Sequence, residues 1–424
     1  MNWPEPFPYA CAGDFACNQP LFRAGFFMFP PRRFSCGLGL CPCRCFLCVH
    51  IYIQISREPG RQISSREGVE EVRRKLYEWK RLERFAEEIF ARAKVSPADA
   101  ETVARSLVHA DLRGVHSHGL ARLPVYVQRV QAGLIDPGTR PEIIRQEGAT
   151  ALLDGKNQLG AVVGDAALHA ASELAKRYGT GIVGVRASNH FGACSYFALQ
   201  AVEKGQILLV MSNAPATMAP TGGIRPFFGS NPIAVGVPTG EEPPFVLDMA
   251  TTVAARGKIA LAMQKGEAIP PGWAIDEQGE ATTDPAKALR GALLPIGGAK
   301  GYGLAMFADI FCGLLTGAGH GPGVQSLYDN ADHPQNVGHF FWVIDIDRFM
   351  PLPVFRQQMD HYLRQIKAEP HATGHEKIWI PGEKEWFLAE QHMKEGIPLP
   401  EKVAAELEAL GAVLGVDLEE ALIR

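Results

Sequence analysis

From about Val69 to Gln131, apolar positions recur at helical spacing. A charged helical pattern starts near Val69 and runs through VRRKLYEWKRLERFAEEIFARAKV. Ser96-Pro97-Ala98-Asp99 reads as a second helix start. The serine can cap, the proline suits the first turn, and the aspartate favours the positive end of the helix dipole. Val103, Leu107 and Ala110 continue the helical period. The chain then enters Arg113-Gly114-Val115-His116-Ser117-His118-Gly119, a polar cluster bracketed by glycines, and a short helical stretch is expected over Leu120–Gln131.

From about residue 148 the texture changes. ATALLDG reads as a strand ending at a turn, and Gly164–Tyr178 as a small-residue helix closed by Gly179. GIVGVR is a buried strand by its β-branched content, SYFALQAVEKG an amphipathic helix, and QILLVMSN, NPIAVGVP and FVLDMA further strands. Helix returns over Gly301–Leu315. A strand at Phe340–Ile346, a helix at Val354–Ile366 and a helical tail after Pro400 follow. This alternation predicts an α/β layer with helices packed on a sheet. The divisions are an extension over 1–66, a helical segment over 67–145, an α/β region over 146–300, and a C-terminal segment over 301–424 that returns to the helical part.

Gly179-Thr180-Gly181-Ile182-Val183-Gly184 matches G-x-G-x-x-G. A dinucleotide fingerprint needs a strand before it and a helix opening from it. Here a helix precedes and a strand follows, so the glycines read as a helix cap and turn.

Composition adds three limits. The chain has 424 residues with Lys+Arg 42 against Asp+Glu 46, a net charge of −4. No basic field points to nucleic acid. Seven of nine cysteines fall in the first 48 residues, leaving Cys194 and Cys312 in the body, so the body reads as cytoplasmic rather than disulfide-built. The run Cys41-x-Cys43-x-Cys45-x-x-Cys48 lacks a second knuckle at zinc spacing, and no metal is expected. Residues 1–66 carry seven arginines, no lysine and three acids. Their apolar stretch at 46–55 is about half of the ~20 residues that span a bilayer, so no membrane association is expected and the segment reads as a disordered extension.

Three clusters hold candidate chemistry. His118, Arg122 and Tyr126 are spaced by four and would share one helix face. An imidazole, a guanidinium and a phenol there could hold a carboxylate and serve a neighbouring hydroxyl; two surface histidines at a helix start are the alternative. Ser188-Asn189-His190 ends a strand, where open α/β sheets place ligands, and His190 is a candidate acid/base. Asp248, Lys300 and Gly382-Glu383-Lys384 put charge beside small residues, which lets backbone approach a ligand.

Six stretches in order, DLRGVHSHGLARLPVY, VRASNHFGACSYF, FFGSNPIAVGVP, VLDMATT, LLPIGGAKGYGL and IPGEKE, resemble the type 2 malate/L-lactate dehydrogenase family over roughly 77–424. The resemblance implies reversible NAD(P)-dependent oxidation of a small 2-hydroxy acid such as malate, lactate or ureidoglycolate. A related reduction of a cyclic 2-imino acid is the alternative. It implies a non-Rossmann NAD(P)-binding sheet domain, a mainly helical domain built from N- and C-terminal segments, and a homodimer with sites near subunit contacts. By position it makes His190 the proton acceptor, and Ser117 and His118 a relay pair with Asp248 as the aspartate. Arg122 and Tyr126 become substrate contacts. Asp248, Met249, Ala250, Lys300, Gly382, Glu383 and Lys384 become cofactor contacts. Ala214 stands where a family member has a serine that contacts NAD, so only a backbone contact could survive there. The absence of an obvious basic cluster for a 2′-phosphate favours NAD over NADP.

Overall fold

The computed structural model describes residues 75–329 and 332–423. The expectations for 1–66, and for a helix start at Val69, lie outside them. Within the described residues the first helix begins later than its pattern suggested. Tyr77 pairs with Ile397 and Leu422 as an extended bridge, and the Glu78 carboxylate accepts from the N–H groups of Lys80 and Arg81. Helix α1 therefore starts at Trp79 and runs Trp79–Arg92. It buries Leu82, Phe85, Ala86, Ile89 and Phe90 on one face. Helix α2, Pro97–Leu112, starts as predicted, with Ser96 Oγ accepting from Asp99 N–H at 3.3 Å. After single 3₁₀ turns at His116–His118 and Leu120–Arg122, α3 spans Leu123–Gln131. These helices share one apolar core with residues 389–421.

The sheet strands are β1 (Glu142–Glu147), β2 (Thr150–Asp154), β3 (Thr180–Ser188), β4 (Gln206–Ser212), β5 (Ile233–Val237) and β6 (Phe245–Met249). Helix α4 (Gly160–Tyr178) lies between β2 and β3, and α5 (Cys194–Glu203) between β3 and β4 in sequence. A second, three-stranded sheet holds β7 (Ala274–Ile275), β8 (Ala281–Thr282) and β9 (Ala292–Leu293), with α6 (Arg256–Lys265) and α7 (Pro285–Arg290) beside it. Helix α8 (Ala299–Asp309) continues into a π-helical turn, Ile310–Leu314. Strand β10 (Val337–Asp345) and helices α9 (Leu352–Lys367), α10 (Glu383–Glu395) and α11 (Glu401–Leu414) complete the chain.

The large sheet has the order β1-β2-β3-β10-β4-β5-β6. Only β2 and β3 are parallel; every other pair is antiparallel. The C-terminal segment thus divides. Its strand β10 enters the middle of the sheet, while α11 joins the helical core. Edge strand β1 is exposed throughout and carries no apolar alternation, which is why its sequence gave no strand signal. Glu383 and Lys384 open helix α10, with Gly382 at its N-cap.

Gly179 caps α4 in the left-handed region, φ +89°, and β3 follows at once. A Cβ at Gly181 would lie 1.9 Å from Ala171 O, so this glycine lets α4 pack directly on β3. Both glycines have structural work at a helix end.

The join between α2 and α3 rests on Asp111, which is fully buried. Its carboxylate accepts from Leu120 N–H at 2.7 Å and contacts His116 Nδ1 at 2.7 Å. Burial raises the Asp111 pKa, and the His116 and Leu120 bonds pull against that. A Cβ on Gly119 would meet the carboxylate at 2.3 Å. Gly119→Ala should therefore displace Asp111 and lower stability by about 1–3 kcal/mol, as overpacking does. Urea unfolding of the variant checks this, and an unchanged midpoint would exclude the clash.

Candidate active site

Two loops bring the candidate side chains together. The polar turn after α2 delivers Ser117, His118 and Arg122, and the end of β3 delivers His190. Segment 188–191 leaves the sheet between two left-handed residues, Ala187 at φ +49° and Gly192 at φ +85°. Asn189 is almost wholly buried, and its Nδ2 donates to Asn157 Oδ1 and Gln158 O, both at 3.0 Å. His190 N–H donates to Gln335 Oε1 at 3.0 Å.

The rings of His118 and His190 lie face to face, 5.5 Å between centroids and 30° between planes. Tyr126, 3% exposed, places its hydroxyl 2.5 Å from His190 Nδ1. Ser117 Oγ is 3.0 Å from His118 Nδ1, and Arg122 Nε donates to Ser117 O at 2.6 Å. The Arg122 guanidinium sits over the Tyr328 ring at 5.3 Å. His118, Arg122 and His190 are half-buried. His118, Arg122 and Tyr126 do converge, but across two 3₁₀ turns and a helix start rather than along one continuous helix face.

Burial and then the neighbouring Arg122 charge push His118 down to about 4. His190 is held well below the ordinary histidine value by burial, then by His118, Arg122 and His339. Burial also pushes the Tyr126 hydroxyl up, so it stays protonated. At neutral pH the site thus presents two uncharged imidazoles beside one fixed cation. That is the state needed to take a proton from a hydroxyl while an anion is held nearby.

Other expected residues stand apart from this pair. Asp248 Oδ2 accepts from Ser195 N–H at 2.8 Å, at the start of α5. Among the described residues no hydrogen bond joins Asp248 to Ser117 or His118. Ala214 N–H donates to Asn231 Oδ1 at 3.0 Å. Met249 ends β6 and Ala250 follows it, both half-buried. Glu383 is 2% exposed, and its carboxylate takes Ile380 N–H and Lys367 Nζ. Gly382, φ +86°, packs on Val246, where a Cβ would come within 2.8 Å. Lys384 Nζ lies 5.2 Å from the Trp379 ring. Gln335, Tyr328 and Asn231 escaped the sequence reading, because a loop glutamine, tyrosine or asparagine carries no spacing signal of its own.

A family model described as malate/L-lactate dehydrogenase matches residues 77–408. The chain belongs to that family. It is 41% identical over 347 residues to a malate dehydrogenase of Pyrococcus horikoshii, covering 80% of this chain and 95% of that protein. The solved structure of malate dehydrogenase from the same organism superposes with a TM-score of 0.74 at 39% identity, covering 81% and 96% of the two chains. An NAD(+) ureidoglycolate dehydrogenase of Escherichia coli is 34% identical over 324 residues, 76% of this chain and 92% of that one. A Δ1-piperideine-2-carboxylate reductase structure from Pseudomonas syringae matches with a TM-score of 0.71 and 29% identity, covering 79% and 99%.

The family implies a nicotinamide dinucleotide, and the donor set ahead of α8 fits its phosphates. Gly297 and Gly298 are successive left-handed residues, and no atom lies closer than 4.0 Å to where their Cβ atoms would be. Helix α8 begins there without a side-chain cap, and Lys300 is its second residue. Gly301 N–H is donated to Ile296 O, which leaves the Ala299 and Lys300 N–H groups at the helix start; such groups beside a lysine suit a phosphate.

The lowered His118 pKa links the site to stability. Between about pH 6.5 and 4 the unfolded chain binds a proton at His118 that the native protein does not, so this residue's contribution is lost as pH falls through that window. His118→Asn should therefore gain stability relative to the parent as pH is lowered from 7 to 4.5. Paired urea midpoints measure this, and a constant difference would contradict it.

Proposed function

We propose that this family member catalyses the reversible oxidation of the C2 hydroxyl of a small 2-hydroxy acid of the malate, lactate or ureidoglycolate type, using NAD or NADP. The observation that carries the reading is the facing pair of uncharged imidazoles beside Arg122. Arg122 would take the substrate carboxylate through its two-pronged donor geometry. The bound cofactor supplies the hydride acceptor for C2. His190 then takes the hydroxyl proton: in the tautomer with its ring proton on Nδ1, donated to the Tyr126 oxygen at 2.5 Å in preference to the 3.4 Å approach of Gly192 N–H, Nε2 keeps a lone pair for the substrate. Tyr126 in this reading orients His190, a different role from direct substrate contact. Ser117 orients His118, whose ring covers the other side of the pair. General-base help of this type contributes about 10²–10⁴-fold in rate.

Lys300 with the Gly297–Gly298 turn would hold phosphate, and Asp248, Met249, Ala250, the Ala214 backbone and the Gly382–Lys384 segment would line the rest of the cofactor site. We read the scaffold as a non-Rossmann one. Support comes from the antiparallel β10 between β3 and β4, and from the G-x-G-x-x-G glycines serving a helix end. We read residues 75–145, the described part of the expected 67–145 segment, with the final helices as the helical domain, and 146–300 joined by β10 as the nucleotide- and substrate-binding domain. Buried free thiols at Cys194 and Cys312 suit a cytoplasmic setting. Among the described residues no helix is long and apolar enough to cross a membrane.

The second reading, reduction of a cyclic 2-imino acid, is favoured by the similarity to the piperideine carboxylate reductase. There Arg122 holds the same carboxylate and the proton goes to nitrogen. Absorbance at 340 nm with malate, lactate, ureidoglycolate and a cyclic imino acid, each with both cofactors, separates the two. His190→Ala should lose at least about 10²-fold in kcat on the preferred substrate while remaining folded. Parental rates in that variant would remove His190 from the reaction.

A homodimer is part of the same proposal. Leu304, Phe307, Ile310, Leu314 and Leu315 run along α8 and its π turn and are 38–64% exposed. Such a contiguous apolar stripe suits a two-fold contact. Leu314→Glu should shift the sedimentation mass from two chains toward one; an unchanged mass would place the contact elsewhere.

A further inference from the structure

His339 lies near the start of β10 and is fully buried. Its ring spans three strands. Nδ1 is 2.9 Å from Ser212 Oγ at the end of β4, and Nε2 is 2.8 Å from Ser188 Oγ at the end of β3. The ring also stacks on Phe191, 4.1 Å between centroids and 2° from parallel. Ser188 and Phe191 flank Asn189-His190 on either side. His339 therefore grips both ends of the short segment that carries the candidate base.

The hydrogen-bond directions in this clamp follow from the acceptors. Ser212 Oγ donates to Asn213 O at 2.9 Å, so it must accept from His339 Nδ1–H. The unprotonated Nε2 then accepts from Ser188 Oγ–H, whose only other acceptor, Asn189 O, is at 3.4 Å. A neutral imidazole fills both roles; a protonated one would have to displace the Ser188 proton. Burial keeps the ring neutral, its pKa down at about 3.

The segment needs such a clamp. It leaves the sheet through Ala187 and Gly192, both left-handed, and Gly192 has open space where a side chain would be. Displacement of a catalytic group by about 1 Å can cost 10²-fold in rate.

We propose that His339 is a positioning residue that holds His190 against His118 through Ser188 and Phe191; this rests on the reading of His190 as the proton acceptor. His190 is faced by His118 and Arg122 from the 3₁₀ turns, Tyr126 from α3, and His339 from β10. Once the segment loosens, its ring gains solvent and its titration rises toward the ordinary histidine value.

Ser188→Ala and Ser212→Ala form the test. Both serines are buried and each makes one bond of similar length to His339, so a purely structural role predicts similar losses from both. We expect Ser188→Ala to lower kcat about tenfold with KM within about twofold. It should also raise the His190 titration midpoint, followed by NMR with His190→Ala as the assignment control. Ser212→Ala should leave the His190 midpoint in place. Equal effects of the two variants on His190, or a Ser188→Ala protein that loses stability without moving the His190 midpoint, overturn the proposal. If the parent oxidises no 2-hydroxy acid, or His190→Ala keeps the parental rate, the functional reading fails instead, and the NMR comparison still decides whether His339 holds that ring.

Discussion

The 5.5 Å approach of the His118 and His190 rings is the contact on which the site depends. One ring belongs to the helical N-terminal stretch and the other to the end of a sheet strand 72 positions later. Neither segment can create the pair alone. The helical core must seat the turn after α2 over the end of β3, and buried Asp111 must keep that turn closed. Gly119 is where these demands meet, because any side chain there would enter the space of the carboxylate.

Electrostatics follow from the same contact. Burial and the Arg122 charge oppose protonation of His118, and burial, His118 and Arg122 oppose it at His190. The arrangement keeps both rings available as acceptors at neutral pH, while Arg122 keeps its positive charge for an anion. The Tyr126 hydroxyl, held protonated by burial, fixes one face of His190 without adding charge. A carboxylate in Tyr126's place would favour the imidazolium and remove the base.

Much of the framework was legible in the sequence. Ser96-Pro97, the Gly179 cap and the β-branched runs of β3 to β6 each carry a local signal that the fold obeys. The same local logic explained why the G-x-G-x-x-G run should sit at a helix end. Strand β1 was hidden because both of its faces are exposed, and α10 because its opening glycine and charged residues look like a loop. The chemistry was legible in part. Residue types and order placed His118, Arg122 and His190 among the candidates, but the Tyr126–His190 bond and the Asp248–Ser195 bond are long-range facts with no sequence period. Gln335 and Tyr328 come from a loop more than 130 residues beyond His190 and were silent for that reason.

Asp248 and Glu383 show how a charged residue in a recognised stretch can serve the framework as well as a ligand. The Asp248 carboxylate anchors the start of α5, so β6 is tied to the helix that follows the His190 segment. Glu383 links α10 to α9 through Lys367, which also bridges Glu242 after β5. Removing either carboxylate would leave buried partners unpaired, a loss of about 1–3 kcal/mol apart from any effect on a ligand. Activity lost on substituting such a residue is therefore ambiguous by itself. The facing imidazoles differ in this respect: among the described residues, the neighbours of the His190 ring nitrogens, the Tyr126 hydroxyl and, at 3.4 Å, Gly192 N–H, both face Nδ1 and compete for it. Its Nε2 edge is left for chemistry, which makes His190 a cleaner place to separate reaction from architecture.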